Sequence, residues 1–180
     1  MTTLRRFLAD RGGAAAAELA LILGLLTIPL MSVVDLGVYA FERMQVQNAA
    51  QMAAQSLWST CSTTAYWPVT KFCSTGQSNA TLGAQQSSLG TDVTVSSIVD
   101  GYYCMDTTGT PQAIGSTGTY STPLTLTKPT SCGSGTWSST APAEYVTVTV
   151  AYTYKPAFGS VSVGSILNSA MSESSMVPIK

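Results

Sequence analysis

Residues 11–30, RGGAAAAELALILGLLTIPL, decide the fold of this chain. Two glycines follow Arg11, and the apolar sequence from Ala14 to Leu30 contains a single acid, Glu18. A carboxylate in a membrane helix costs about 2.5 to 3.5 kcal/mol at the helix centre and less toward the ends. Both the glycine pair and the glutamate therefore need an explanation.

The apolar run is long enough to cross a membrane. It extends from Ala14 to about Ala40, and residues 19–34 carry no charge. A helix needs about 20 apolar residues to span the hydrocarbon core of a bilayer. Arg5, Arg6 and Arg11 precede the run against one aspartate. This excess of arginine predicts a cytoplasmic N-terminus and a C-terminal part on the other side of the membrane.

Composition argues against several classes of function. The chain has 180 residues, of which 9% are charged, and its formal net charge is −1. A nucleic-acid-binding protein would carry a basic patch, and none stands out here, so we expect no nucleic-acid partner. The chain contains no histidine, which excludes Ser–His–Asp and Cys–His nucleophiles and removes the commonest metal ligand. We therefore expect no catalytic residues, no cofactor and no metal.

Three kinds of N-terminal segment could carry such a run. A secretory signal would be cut after Ala40, with Val38 at the −3 position, but this site is poor and Glu18 interrupts the apolar region. An uncut signal anchor would tolerate Glu18, yet it explains neither the glycine pair nor the helical character beyond Asp35. A type IV pilin-like leader, cut after a glycine on the cytoplasmic side, explains the glycine pair and the glutamate.

The chain resembles the TadE-like pseudopilins, which are minor pilins of the tight-adherence (Tad/Flp) pili in the type IVb family. The matching stretches lie in the first 58 and the last 37 residues: LRRFLADRGGAAAAELALILGLLTIPL, MQVQNAAQMAAQSLW and EYVTVTVAYTYKPAFGSVSVGSILNSAMSESSMV. The resemblance implies that a prepilin peptidase cleaves between Gly13 and Ala14. Glu18 would then be the fifth residue of the mature chain, where pilin-like proteins carry a glutamate.

The resemblance also implies partners and a location. The partners are other pilins and pseudopilins, the pilus assembly platform and the lipid of the inner membrane. We expect a bacterial inner-membrane protein with a periplasmic C-terminal domain, which becomes extracellular in an assembled pilus. In a helical bundle, Glu18 can pair with the new α-amino group of Ala14 on a neighbour, which neutralises both charges and favours the correct axial register. The other interpretation places Glu18 at the headgroup boundary without a role. Asp35 is interpreted as a marker of the outer membrane interface.

Beyond the membrane the helix should continue to Trp58. The segment 38–58 lacks glycine and proline, and it is rich in residues that favour helix. An apolar stripe recurs in steps of three to five residues, at Phe41, Val46, Ala49, Ala53 and Leu57. We predict one helix over residues 14–58 whose outer half packs against a sheet formed by the rest of the chain.

The remaining residues, 59–180, should form a small antiparallel sheet in a domain rich in serine and threonine. The clearest strand is 146–154, where β-branched or aromatic residues alternate with small or polar ones until Lys155-Pro156. Further candidate strands are 92–100, 160–167 and 170–177, and long loops are expected at 107–120 and 129–140. The fold class is therefore α+β, with a leader at 1–13, a helix at 14–58 and a β domain at 59–180.

All four cysteines lie in the part expected to cross the membrane. An oxidising compartment makes them candidates for disulfides, and the sequence contains no C-x-x-C pair that would suggest zinc. Three pairings are possible. We favour Cys61–Cys73 and Cys104–Cys132, because each closes a short loop and would stabilise a loop-rich domain.

The rival functions are weaker. Asp92, Asp100 and Asp106 could form a calcium site or a catalytic carboxylate pair of a periplasmic enzyme, but we interpret them as solvated turn residues. Exposed aromatic side chains could bind a glycan, although core packing explains them as well. We predict a non-enzymatic structural subunit of a pilus that serves surface attachment. The alternative is an unprocessed membrane-anchored or tip adhesin whose serine- and threonine-rich domain binds a surface ligand.

Overall fold

The computed structural model describes residues 11–125, 127–133, 137, 141–167 and 169–179. It has the predicted α+β fold: a long N-terminal helix is followed by an antiparallel sheet, and two disulfides are present. The helices and strands in chain order are α1 (Arg11–Cys61), α2 (Val69–Phe72), α3 (Gly76–Gln85), β1 (Thr94–Met105), β2 (Pro111–Ala113), β3 (Gly118–Thr119), β4 (Ala143–Thr153) and β5 (Ala170–Ile179).

The chain divides into two compact units, and the boundary falls inside α1. The first unit contains the chain up to Phe41 together with Lys155–Ser169. The second contains Glu42–Tyr154 together with Ala170–Lys180. Each unit is therefore built from part of α1 and from a segment that is distant in sequence.

Helix α1 passes through Pro29 without ending. Proline lacks the backbone N–H that would bond the carbonyl four residues earlier. Nearby hydroxyl groups bond to backbone carbonyls in the same stretch: Thr27 Oγ1 donates to the carbonyl of Leu23 at 2.6 Å, and Ser32 Oγ donates to that of Ile28 at 3.0 Å. Such bonds let polar side chains lie in an apolar helix without an unsatisfied hydroxyl.

The sheet belongs to the second unit. Its strand order is β2-β1-β4-β5, and β3 also pairs with β1. All pairs are antiparallel, and a register irregularity lies between Val95 and Ser97 where β1 pairs with β4. The alternation that predicted β4 has the expected cause, since Val146, Val148 and Val150 are fully buried while the residues between them are partly exposed.

The outer part of α1, from Glu42 to Cys61, packs its apolar side chains into the same core as the sheet. The predicted apolar stripe is fully buried at Val46, Ala49, Ala53 and Leu57. Ala50 and Ala54 are fully buried beside the stripe, so alanine makes up most of this buried face and the backbones of neighbouring elements can approach closely. At the edge of this packing, Arg43 Nε on α1 donates to Glu173 Oε1 on β5 at 3.1 Å.

Helix α3 crosses the outer part of α1 at a close contact. A Cβ added at Gly83 would lie 2.8 Å from the carbonyl oxygen of Met52 and 2.6 Å from the Cβ of Ser56. The Ser56 hydroxyl donates to the carbonyl of Asn79 at 2.9 Å. Only glycine allows this approach at position 83, so a residue that weakens a helix by propensity is required here by packing.

The two disulfides join Cys61 to Cys73 and Cys104 to Cys132, with Cα–Cα separations of 6.1 and 5.9 Å. These are the pairs that the short-loop argument favours. The first ties the end of α1 to the residue after α2, and the second ties β1 to the loop before β4. Each closed loop restricts the unfolded chain, which stabilises the fold by about 2–4 kcal/mol in the chain-entropy model.

Several predicted elements differ in the structure. Residues 160–167, predicted as a strand, form two short 3-10 turns, Gly159–Val161 and Val163–Ile166. Helices α2 and α3 were not predicted, and the predicted loop 107–120 contains the short strands β2 and β3. The strand predicted at 92–100 begins at Thr94 and extends to Met105.

Candidate functional site

The inner part of α1 presents apolar side chains on every side. Residues 15–30 are exposed around the full circumference of the helix, and Leu25 exposes 75% of its surface. A helix that is apolar all round is normally buried in a protein core or in a membrane. Large exposed apolar surfaces of this kind are uncommon on proteins surrounded by water. This segment therefore needs lipid or other helices around it.

Length and apolarity agree with membrane anchoring. Among the described residues, one helical segment, Ala15–Cys61, contains an 18-residue window apolar enough to cross a bilayer, with a mean hydropathy of 2.3. Only 11% of that window is buried within the protein. A core helix of a water-soluble protein would show the opposite, with most of its apolar residues covered.

Glu18 lies within this exposed segment. Its side chain is exposed, and between it and Asp35 the helix carries no other charged residue. Gly13 and Ala14 lie in the first turn of α1, and a Cβ added at Gly13 would meet no atom within 4 Å. Ala14 precedes Glu18 by four residues, so the two positions lie on the same side of the helix. The predicted leader lies outside the described residues as far as residue 10.

A second acid, Asp35, ends the uncharged stretch, and its side chain is fully buried. Its carboxylate accepts a hydrogen bond from the backbone N–H of Ala157 at 2.9 Å and another from the hydroxyl of Ser162. One turn earlier, the Ser32 hydroxyl accepts a hydrogen bond from the backbone N–H of Val163 at 3.3 Å. The segment that follows β4 is thus attached to the helix at this level.

A glycine makes the contact at Asp35 possible. A Cβ added at Gly164 would lie 2.6 Å from Asp35 Oδ2. The interpretation of Asp35 as only a marker of the outer interface is therefore incomplete, since the carboxylate also holds residues more than 120 positions away. No local sequence signal connects Asp35 to Ser162 or Gly164, so sequence reasoning could not find this arrangement.

Two of the three aspartates that could have formed a metal or catalytic site, Asp100 and Asp106, have separate structural roles, and Asp92 is exposed in the 3-10 turn Gly90–Asp92. Asp100 is fully buried, and its Oδ2 accepts hydrogen bonds from the backbone N–H and the hydroxyl of Thr70, both at 2.8 Å. The interpretation of Asp100 as a solvated turn residue is therefore wrong. In the part of the chain that the structure describes, no three His, Cys, Asp or Glu side chains form a group that could hold a metal.

Asp106 does lie in an exposed turn, as predicted. Its Oδ1 accepts hydrogen bonds from the Thr108 hydroxyl at 2.6 Å and from the Thr110 backbone N–H at 2.8 Å. These bonds stabilise the charged form, so they hold the pKa of Asp106 below its usual value, the Thr108 hydroxyl having the largest effect. The Asp106 side chain thus stabilises the turn by accepting hydrogen bonds from residues of the same turn.

A polar groove in the second unit is a concave surface that could hold a ligand. It has a volume of about 420 Å³ and is lined by amide and hydroxyl side chains from α1 and the end of α3. The lining amides are Gln45, Asn48, Gln51, Gln55 and Gln86. The groove has no titratable side chain in its lining, which suits hydrogen bonding to a neutral polar ligand better than acid–base chemistry.

Comparison with known protein families gives a match over most of α1. Residues 13–55 match the family model described as TadE-like protein. No curated protein and no solved structure matches the chain. The matched segment begins at Gly13, contains Glu18 and Asp35, and ends within the buried stripe of α1. Over residues 13–55 the chain is similar to the TadE-like family, as the resemblance in its sequence predicted.

Proposed function

We propose that the protein is a minor pilin, or pseudopilin, of a tight-adherence pilus used for surface attachment. The observation that carries this proposal is the inner part of α1, which exposes apolar side chains on all sides and lies within the TadE-like match. Such a surface suits two environments in turn, lipid before assembly and neighbouring apolar helices afterwards. The protein would assemble at the base or the tip of the pilus.

Processing would prepare the helix for assembly. A prepilin peptidase would cleave between Gly13 and Ala14, and the assembly platform would then transfer the mature chain from the membrane into the bundle. Cleavage gives Ala14 a free α-amino group. Four residues of helix rise about 6 Å, so a neighbouring helix offset by about one turn can place this amino group beside the Glu18 carboxylate. Pairing of the two charges in an apolar bundle would then select one axial register over slipped ones.

The second unit would face the periplasm, or the exterior in an assembled pilus. Both disulfides lie in this unit, and disulfides persist in oxidising compartments such as the periplasm. The excess of arginine before the apolar run supports the same orientation. The partners that follow from this arrangement are other pilins, the peptidase, the assembly platform and inner-membrane lipid.

The proposal is tested by replacing Glu18 in cells that produce the pilus. With Glu18→Ala, we expect the protein to stay in the membrane but its recovery with sheared pili, or with co-purified pilins, to fall at least tenfold. Leu21→Ala is the matched control, because Leu21 is an exposed residue on the next turn and carries no charge. Equal recovery of the two variants would contradict a role for Glu18 in register.

A second candidate function is surface-ligand binding by the second unit, favoured by the amide-lined groove. Gln51→Ala combined with Gln55→Ala would remove two hydrogen-bonding side chains from its wall. If the groove binds the attachment ligand, cells with this double variant should attach several-fold less while their number of pili is unchanged. Normal attachment would exclude the groove as the adhesive site.

A further inference from the structure

The segment Lys155–Ser169 combines exposed apolar residues with an absence of acidic charge. Between Pro156 and Ser169 the sequence carries no charged residue, and Lys155 is exposed at its start. Ile166 exposes 82% of its surface, and Phe158 and Val163 are also exposed. A short segment with three large exposed apolar side chains, and only a lysine for charge, has the composition of a membrane-interface contact.

The segment is fixed to α1 at a defined level. Asp35 accepts hydrogen bonds from Ala157 and Ser162, and Val163 donates to Ser32. All of these residues belong to the first unit. The exposed apolar side chains of the segment are therefore held next to the outer end of the apolar helix.

That level coincides with the far boundary of a bilayer. From Ala14 to Asp35 the helix rises about 31 Å at 1.5 Å per residue, and the hydrocarbon core of a bilayer is about 30 Å thick. At this depth Val33, Val34 and Leu36 of α1 are exposed as well. The apolar surface of the helix thus continues onto the attached segment.

We propose that Lys155–Ser169 is a membrane-contact loop that places Phe158, Val163 and Ile166 in the outer leaflet of the inner membrane. Lys155 would reach the lipid phosphates, as lysine side chains do at interfaces. The loop also satisfies the Asp35 carboxylate, which would otherwise face the edge of the hydrocarbon without hydrogen bonds. This inference depends on insertion of α1 in the membrane and does not depend on the role of the protein in a pilus.

The surface of the loop favours contact with lipid over contact with a second protein. The loop surface is continuous with the lipid-exposed helix, and it offers a protein partner no acidic group, since Asp35 is buried under it. A protein interface of similar size would normally include polar groups arranged for specific pairing. Contact with another pilus protein is therefore an outcome that the test must separate from contact with lipid.

The test uses the full-length protein in inner-membrane vesicles, with Ile166 replaced by the photo-crosslinking residue p-benzoylphenylalanine. After irradiation, mass spectrometry of the peptide that contains position 166 should show adducts with phosphatidylethanolamine or phosphatidylglycerol. Leu82 on α3 is the matched control, because it is an apolar side chain exposed to 58% outside the loop. We expect at least fivefold fewer lipid adducts at position 82.

Adducts at position 166 with another protein, or no adduct at all, would overturn the proposal. Alkaline extraction of the same vesicles shows whether α1 remained inserted. A protein that stays in the membrane yet gives no lipid adduct contradicts the contact loop and leaves the proposed pilin function intact. A protein extracted by alkali contradicts membrane insertion, on which both proposals depend.

A second variant tests the attachment at Asp35. Gly164→Ala places a Cβ where it would lie 2.6 Å from the Asp35 carboxylate, so we expect lipid adducts at position 166 to fall at least threefold. Gly37→Ala is the matched control, because its Cβ would meet no atom within 4 Å. Equal adduct yields in the two variants would contradict the positioning role of Asp35.

Discussion

The two parts of α1 belong to one helix but suit different surroundings. Over residues 15–30, apolar residues lie on every side of α1 and are exposed. From Glu42 onward, a narrow stripe of alanine and valine is fully buried, and the exposed positions carry polar residues such as Gln47, Gln51 and Gln55. The first pattern needs an apolar solvent or apolar neighbours, whereas the second needs a protein core on one side and water on the other.

The difference teaches that helix propensity alone does not assign a helix to its environment. Alanine, leucine and glutamine favour helix in both parts, so the helix forms continuously from Arg11 to Cys61. The distribution of apolar residues around the helix determines what each part can contact. If this account is correct, equivalent substitutions in the two parts should have very different effects.

The largest contrast should come from leucine truncation. Leu57 is fully buried, so Leu57→Ala should destabilise the folded second unit by about 2–5 kcal/mol, from lost burial and an internal cavity. Leu25 touches little of its own chain, and Leu25→Ala should leave the melting temperature within error. Thermal unfolding in detergent, followed by circular dichroism, measures both. Equal losses of stability would contradict the division of α1.

A charge near the middle of the apolar run tests whether this part of α1 lies in a membrane. Here the substitution should impair membrane insertion and not the folding of the second unit. Leu25→Arg should weaken insertion by about 2.5–3.5 kcal/mol, because a guanidinium would lie near the centre of the hydrocarbon. Alkaline extraction should then release a fraction of the protein that remains bound in the wild type. Gln51→Arg is the control, since it adds the same charge at an exposed position of the second unit and should leave the extracted fraction unchanged.

A smaller effect is expected where α3 crosses α1. Gly83→Ala adds a Cβ within 2.8 Å of the Met52 carbonyl oxygen, so the helices must separate, at a cost of about 1–3 kcal/mol. Chemical denaturation monitored by tryptophan fluorescence measures this loss. Gly37→Ala, which meets no neighbouring atom, should not lower stability. A neutral Gly83→Ala variant would show that α3 does not pack closely on α1.

The smallest effect concerns Tyr152 on β4, which interacts with Glu42 on α1. The pKa of Tyr152 is raised to about 12. Burial has the largest effect, and a hydrogen bond with Glu42 and repulsion from the Glu42 carboxylate add to it. A raised pKa favours the neutral phenol in the folded state, so this contribution is complete below pH 10 and is lost as pH rises toward 12. Tyrosinate absorbance should lose a transition near pH 12 in Tyr152→Phe. An unchanged titration curve would contradict this contact.

Patterns that are local in the sequence predict the main helix and the main strand. The apolar run, the stripe from Val46 to Leu57 and the alternation in β4 each follow from one periodicity, and all three appear in the structure. The segment 160–167 misled the strand prediction because its valines also alternate with small residues. The backbone N–H of Val163 donates instead to the Ser32 hydroxyl of α1, Gly159 adopts a φ of 57° at the turn, and Gly164 allows the close approach to Asp35.

The elements that were missed depend on contacts between distant residues. Helix α3, GQSNATLGAQ, has weak intrinsic helix propensity, and its packing against α1 at Gly83 explains its presence. Asp35 and Asp100 are acids that a composition argument places at the surface, yet each is buried with hydrogen-bond donors from another segment. A single sequence contains no signal that pairs such residues.

The N-terminus of the protein purified from membranes tests the central claim most directly. Mass spectrometry of the N-terminal peptide should find a mature chain that begins at Ala14, which creates the α-amino group proposed to pair with Glu18. A chain that begins at Met1 would be an uncut signal anchor, and Glu18 would lack that partner. A chain that begins near Phe41 would have lost the apolar helix and would contradict the proposed pilin function.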